Sequence, residues 1–296
     1  MTQLFYVERF LNRRCDKMIK IAPFIKIIRP RNAVMTALAV SLGFWIAQSR
    51  LPLVSLALLV ISAVCAVGYG NIVNDINDAE ADKINHPRRP LPSGEISINA
   101  ARILAALLAG IALATGGLVS PVHCAGCLLP LVLLSVYAFR LKSTPLAGNV
   151  AVSLLVAYPL LYGGLTAPQL SHLLMPAFLA FLLNFSREIV KDIEDQAGDS
   201  MHGVVTTAVL PAPALNMIVA WLGIVYLLNM FIPFFMGHVH RTYAFICAGA
   251  LLPLHTVWLV TFLRRRGTAS LSAISSLIKL EMLGGLIALA ADRILR

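Results

Sequence analysis

The stretch PLVSLALLVISAVCAVGYGNIVNDINDAEAD, residues 52–82, is apolar for about twenty residues and then turns abruptly acidic. A run of that length is what a helix needs to cross a bilayer. In lipid the backbone must satisfy its own hydrogen bonds, so such a run reads as a transmembrane helix. Its acidic end, N-D-I-N-D-A-E-A-D at 74–82, has a near-echo in K-D-I-E-D-Q-A-G-D at 191–199. Both share the pattern x-D-I-x-D-x-x-x-D, in a chain that otherwise avoids carboxylates.

Working outward, the same apolar character returns along the whole chain. The spacing predicts nine spans, near 31–48, 52–74, 98–118, 122–139, 146–164, 170–186, 208–232, 242–263 and 272–291. Of the 296 residues 58% are hydrophobic and 13% charged, against about 25% charged in an ordinary soluble domain. The connections are short, and no Ser/Pro-rich linker sets off a second domain. The expectation is an all-α polytopic membrane protein, with about nine transmembrane helices in one bundle over 29–296. A basic leader, 1–28, precedes it. Leu4, Phe5, Phe10 and Leu11 among its arginines and lysines suit a helix on the membrane surface, as well as they suit an unstructured segment.

The net charge of +10 does not point to nucleic acid, because the basic residues alternate by loop. The leader, Lys83 with Arg88 and Arg89, Arg140 with Lys142, Arg187 with Lys191, and 264–266 would lie on one side. Only Arg50, Arg241, Arg293 and Arg296 would lie on the other. The positive-inside rule then puts the N-terminus and both aspartate clusters in the cytoplasm of a cell membrane, plasma or inner. Cys15, Cys65 and Cys247 read as small packing residues. The lone C-x-x-C of Cys124 and Cys127 has no second pair to suggest a metal. No role is assigned to any histidine. Trp45 and Trp258 fall near span ends, where aromatic belts form, and Trp221 reads as span packing.

At 100° per residue, Asn71, Asn74, Asp75, Asp78 and Asp82 fall on one arc of a helix, and Glu188, Asp192, Asp195 and Asp199 on the equivalent arc of another. Carboxylates crowded at a membrane are costly and mark a functional site. Hard divalent cations take oxygen ligands, and Mg²⁺ is typically held by one or two carboxylates with water and substrate phosphate completing its shell. Two such clusters could hold Mg²⁺ with a diphosphate between them. Lys83, Arg89, Arg187 and Lys191 interleave with the acids, and Tyr137 and Lys142 end the fourth span. The loop H-P-R-R-P-L-P-S-G, 86–94, is too rich in proline for a helix and pre-sets a stiff path beside the first cluster. The bland alternative is an acidic loop balancing nearby arginines.

These residues resemble the UbiA superfamily of intramembrane prenyltransferases. The likeness rests on N-D-I-N-D-A-E-A-D with I-N-H-P-R-R-P-L-P-S-G, and on S-R-E-I-V-K-D-I-E-D-Q-A-G-D. I-R-P-R-N (28–32), Y-A-F-R-L-K (137–142) with Gly148 and Asn149, and K-L-E-M-L (279–283) add to it. The resemblance implies helices around a central cavity open to lipid, with Mg²⁺ and a polyprenyl diphosphate donor bound by the two motifs. By position, Asn74, Asp75, Asp78, Asp82, Asp192, Asp195 and Asp199 would be metal ligands, and the six aspartates catalytic. Asn32, Asn74, Lys83, Arg89, Tyr137, Lys142, Arg187 and Lys191 would bind substrate. Both motifs look most like the branch that makes digeranylgeranylglyceryl phosphate, whose donor is geranylgeranyl diphosphate and whose acceptor is the hydroxyl of geranylgeranylglyceryl phosphate. One departure is S-M-H-G-V-V-T-T-A-V-L after Asp199, where that branch leads one to expect T-L-P following the glycine. Other lipophilic acceptors remain open: aromatic acids, quinone precursors and chlorophyllide. An ion-coupled transporter is the reading from another class; its mark would be broken helices carrying acids to the bilayer midplane.

Overall fold

The computed structural model describes residues 21–201, 203–265 and 270–295; most of the basic leader, 1–20, therefore lies outside the described residues. No strand occurs among them. The long helices are α2 (Pro30–Ile46), α3 (Leu53–Asn77), α5 (Ile98–Val119), α6 (Pro121–Val136), α7 (Ala147–Gly163), α8 (Leu174–Met201), α9 (Ala212–Met230) and α13 (Leu271–Ile294). Shorter pieces are α1 (Ile21–Ile28), α4 (Asp82–Asn85), α10 (Ile232–Phe235), α11 (Arg241–Ile246) and α12 (Leu252–Leu263). A π-helical turn, Cys247–Leu251, joins α11 to α12 in one rod.

Every expected span falls on a helix. Among the described residues seven helical rods are long and apolar enough to cross a membrane. The helices at the other two expected spans, α2 and α7, are 17 residues each, about 25 Å at 1.5 Å per residue. That is short of a hydrocarbon core about 30 Å thick. These two helices pack on each other at very close range. A Cβ on Gly43 would lie 2.0 Å from the Leu160 carbonyl oxygen, and one on Gly163 would lie 2.0 Å from that of Val40. Small residues permit this approach where packing, not water, drives helix association.

The ends of the elements follow local chemistry. Ser97 and Ser120 cap α5 and α6, accepting from the backbone N–H of Ala100 and His123 at 3.2 Å; Pro121 occupies the first turn of α6, where its missing N–H costs nothing. Outward faces leave Ile103, Leu107, Leu118, Leu129 and Val132 each more than half exposed, an apolar surface too extensive for water and suited to lipid. Trp221 joins this outer surface, 61% exposed, and so does not fill a span interior. Trp258 differs from expectation in the other sense. It is wholly buried, because its indole N–H donates to Glu281 at 2.5 Å.

The interior divides into a large cluster built on Leu182, Val219, Leu222, Trp258 and Ile274 and two smaller ones. The first of these gathers Val40, Leu59 and Tyr162, and the second Ile27, Ile72 and Val73. Ile27 brings α1, which begins inside the expected leader, onto the end of α3. Between the halves runs a cavity of about 820 Å³.

Candidate active site

Both aspartate clusters stand where helices end at one rim of this cavity. The second is carried on α8, helical without a break through Met201, so Glu188, Asp192, Asp195 and Asp199 share a face as their spacing requires. The first straddles an end. Helix α3 stops at Asn77 with Asp78 as its C-cap, and α4 restarts at Asp82, whose N–H still reaches the Asp78 carbonyl at 2.8 Å. The second acidic segment is continuous helix and the first is interrupted by a turn at 78–81, and both lie at the ends of long helices and not at their middles, where a transporter would break them.

Each acid of the first motif meets a cation. Lys142 Nζ lies 2.5 Å from Asp78 Oδ2, and the Asn74 amide donates to the same oxygen at 2.7 Å. Arg89 donates to Asp82 at 2.5 Å and approaches Asp75 at 3.6 Å. Arg29 pairs directly with Asp75. Arg29 can do so because its own backbone is left-handed, φ 60°, a conformation uncommon outside glycine that clusters at functional sites. Pro30 starts α2 immediately after it. Lys142 owes its position to a π-turn, Tyr137–Leu141, whose extra residue closes through the Lys142 N–H to the Tyr137 carbonyl at 2.9 Å. Such turns recur at functional sites.

The second motif is held differently. Asp192 Oδ2 accepts from the Asn149 amide at 2.8 Å and from the Thr207 backbone N–H at 3.2 Å. The Thr207 hydroxyl bonds to Asn149 Oδ1 and receives the Leu146 N–H at 2.9 Å. His86 Nε2 sits 3.2 Å from Asp195 Oδ1. Asn85 ties the two motifs together, donating to the Asp195 carbonyl at 3.1 Å and accepting from the Gly198 N–H at 3.1 Å. Gly198 must be glycine for this contact, since a Cβ there would fall 2.3 Å from the Asn85 side chain.

Asp75, Asp78, Asp82 and Asp199 are all less than 10% exposed. Burial pushes the Asp82 carboxyl above its ordinary value, with Arg89 opposing. Burial raises Asp199 likewise; Lys142 opposes, while Asp195 and Asp78 add to the shift. The bonds of Asn85, beside the first motif, to the Asp195 carbonyl and the Gly198 N–H hold the two motifs on facing sides of one cleft. The loop 86–97 closes its rim through successive turns, with Gly94 at φ 76°.

Below the acids, Asn32, Asn74, Tyr137, Arg187, Glu188 and Lys191 line the cavity's polar end, and Met35, Val67, Leu134, Leu183 and Leu286 its apolar body. Of the residues expected to bind substrate, Asn32, Asn74, Tyr137, Arg187 and Lys191 line the cavity, Arg89 and Lys142 sit on the aspartates above it, and Lys83 does neither. Lys83 is 57% exposed and bonds to Glu80 at 2.7 Å, because the turn between α3 and α4 directs it outward. Sequence reasoning assigned no role to Arg29, Asn85, His86, Thr207 or Lys279, the last also on the cavity wall. The departure V-V-T-T was the one available signal for Thr207. Cys124 and Cys127 are free thiols. Among the described residues no three His, Cys, Asp or Glu side chains stand close enough to hold a metal unaided. The motif carboxylates with Asn74 offer all-oxygen donors, of the kind Mg²⁺ shares with water and substrate phosphate.

The model of the UbiA prenyltransferase family matches residues 33–279. The chain is similar to the digeranylgeranylglyceryl phosphate synthase of Methanopyrus kandleri, 35% identical over 272 residues, covering 91% of this chain and 98% of that one. It is 43% identical to the synthase of the same name from Methanoculleus marisnigri over 192 residues, 64% and 68% of the two chains. Among solved structures, one from work on digeranylgeranylglyceryl phosphate synthase superposes with a TM-score of 0.76 at 24% identity, covering 94% of this chain and all of that one. A UbiA homologue from Archaeoglobus fulgidus, solved bound to GPP and Mg²⁺, superposes with a TM-score of 0.59 at 17% identity, covering 90% and 99%.

Proposed function

Since the chain belongs to the UbiA prenyltransferase family, we propose that it transfers a geranylgeranyl group from its diphosphate to the free hydroxyl of geranylgeranylglyceryl phosphate, an ether-lipid-forming step that uses Mg²⁺. The observation that carries this reading is the cleft itself: two aspartate motifs, tied by Asn85, above an apolar cavity sized for a prenyl chain. The full-length similarity to synthases of that name supports the acceptor. On this reading 29–296 form the prenyltransferase domain behind a basic leader, 1–28. The loop charges support a cytoplasmic side for the leader and the motifs, in a cell membrane.

Asn74, Asp78, Asp82, Asp195 and Asp199 are the groups to hold Mg²⁺. Bound there, the ion supplies positive charge to the departing diphosphate. Asp75 and Asp192 were expected beside them as ligands. Asp75 also pairs with Arg29 and Arg89, and Asp192 accepts from Asn149 and Thr207, contacts that favour a positioning role for each. Lys142 and Arg89, now paired with Asp78 and Asp82, are donors preplaced for diphosphate oxygens, where charge builds as the C–O bond breaks. Asn32 and Tyr137 face the same end. The electron-poor prenyl carbon is left within an apolar wall that keeps water from it, open to the acceptor's hydroxyl.

The test is transfer by purified protein with Mg²⁺, geranylgeranyl diphosphate, and geranylgeranylglyceryl phosphate, 4-hydroxybenzoate, homogentisate or chlorophyllide. Product with the glyceryl phosphate alone is expected. Product with an aromatic or tetrapyrrole alone would overturn the acceptor and leave the donor chemistry standing. Asp78→Ala and Asp195→Ala are each expected to abolish turnover in folded protein, and near-wild-type turnover in either would sink the two-motif site.

A further inference from the structure

Three cations at the cavity's polar end stand apart from the aspartate pairs. Arg187 on α8, Lys191 one turn further, and Lys279 on α13 all line the cavity. Lys279 lies within the electrostatic reach of both Arg187 and Lys191. Glu188 is the acid beside them, and it pairs with Arg187. Lys191 and Lys279 make no hydrogen bond or ion pair among the described residues, and the buried Arg187 Nε has no hydrogen-bond partner. Glu188 is bonded to Arg187, so Lys191 and Lys279 face the cavity as two cations with no bonded carboxylate among the described residues. By contrast Arg29, Arg89 and Lys142 are each committed to an aspartate.

An excess of cationic charge within a membrane is costly, and ionisable groups at such depth by default mark a substrate path. A ligand bringing two negative charges would balance it. A phosphate monoester carries about −1.5 to −2 near neutral pH. In glyceryl phosphate the group lies only a few bonds from the reacting hydroxyl, so it must bind next to the donor's diphosphate. Two phosphate groups so close repel unless cations lie with each. Lys191 meets this demand, since it lines the cavity one helical turn before Asp195 on the same unbroken helix, which sets the cationic corner alongside the donor cleft.

We propose that Arg187, Lys191 and Lys279 form a second anion subsite that binds the phosphate of the acceptor, separate from the diphosphate cleft between the aspartate motifs; this rests on the glyceryl phosphate acceptor proposed above. The face of α13 that carries Lys279 also carries Ser276, Met282, Leu283 and Leu286 along the cavity. The acceptor's own prenyl chain then lies against α13 while its head group meets Lys279. The subsite selects phosphorylated lipids over neutral or aromatic acceptors.

The test compares geranylgeranylglyceryl phosphate with its dephosphorylated alcohol, using wild type, Lys279→Met, Lys279→Gln and Lys279→Arg. Binding of the phosphorylated acceptor in EDTA is measured by calorimetry beside the kinetics. The expected result in Lys279→Met is a rise of about tenfold or more in the KM and Kd of the phosphorylated acceptor. The donor KM should stay within about twofold, the alcohol should be unaffected, and Lys279→Arg should restore much of the loss. Lys279→Gln serves should the methionine variant not fold. An unchanged acceptor KM would overturn the subsite, as would an equal rise in donor KM, which would assign Lys279 to the diphosphate. Wild-type protein that turns over another acceptor but not the glyceryl phosphate would instead remove the acceptor reading, and the subsite with it.

Discussion

Lys83 and Lys142 look alike in the sequence, each a cation beside an expected site, yet one turns to Glu80 on the surface and the other to Asp78 in the cleft. Replacing Lys142 with Met is expected to lower kcat by about a hundredfold or more. Lys83→Met should stay within about twofold, as exposed substitutions do; steady-state assays of the two variants decide it. The aspartates were legible because their repeated spacing is periodic and costly in this setting. The groups that fix them were not. Asn149, Asp192 and Thr207 are far apart in the chain and meet only through tertiary packing. Thr207→Val removes the hydroxyl that serves both the Leu146 N–H and Asn149. With Thr207 fully buried, leaving these groups unpaired should cost about 1–3 kcal/mol, read as a lower Tm in detergent, with turnover falling as Asp192 loosens.

At the scale of elements, apolar run length put a helix at each expected span, seven of them in rods long enough to cross a membrane among the described residues, because a membrane permits few alternatives to a helix. Run length says nothing of local register. The π-turn at Tyr137–Leu141 and the interruption between α3 and α4 leave no hydropathy signal, since one extra residue in a turn does not alter the apolar content around it. The crossing of α2 and α7 is similarly silent in composition, although it depends on two glycines. Gly43→Val would drive side-chain carbon into the Leu160 backbone. Overpacking of this kind costs about 1–3 kcal/mol or more where backbone must move. Thermal unfolding should show the loss, and Gly94→Ala, at a site with nothing within 4 Å, should show a smaller one arising from φ alone. Among buried polar contacts, His255 and Trp258 both converge on Glu281. They join α12 to α13 and leave Lys279, two positions earlier, free to face the cavity.

At the scale of the whole molecule, the site draws on α2, α3, α4, α6, α7, α8 and the segment before α9, so ligand binding acts on the bundle as a unit. Mg²⁺ and inorganic diphosphate together should raise the Tm by several degrees, as a ligand at about a hundredfold its Kd adds about 2.7 kcal/mol. Either alone should shift it little; an equal shift with Mg²⁺ alone would mean a metal site complete without substrate. That interdependence was foreseeable in outline from two motifs over a hundred residues apart, though not the side chains that join them. Its consequence concerns biosynthesis. Asn85 leaves the ribosome more than a hundred residues before the Gly198 N–H it will accept from, and Asp192 precedes the Thr207 that secures it. A nascent chain threading into the bilayer therefore carries its first motif while no opposite wall exists, and remains chemically silent until α9 begins to emerge.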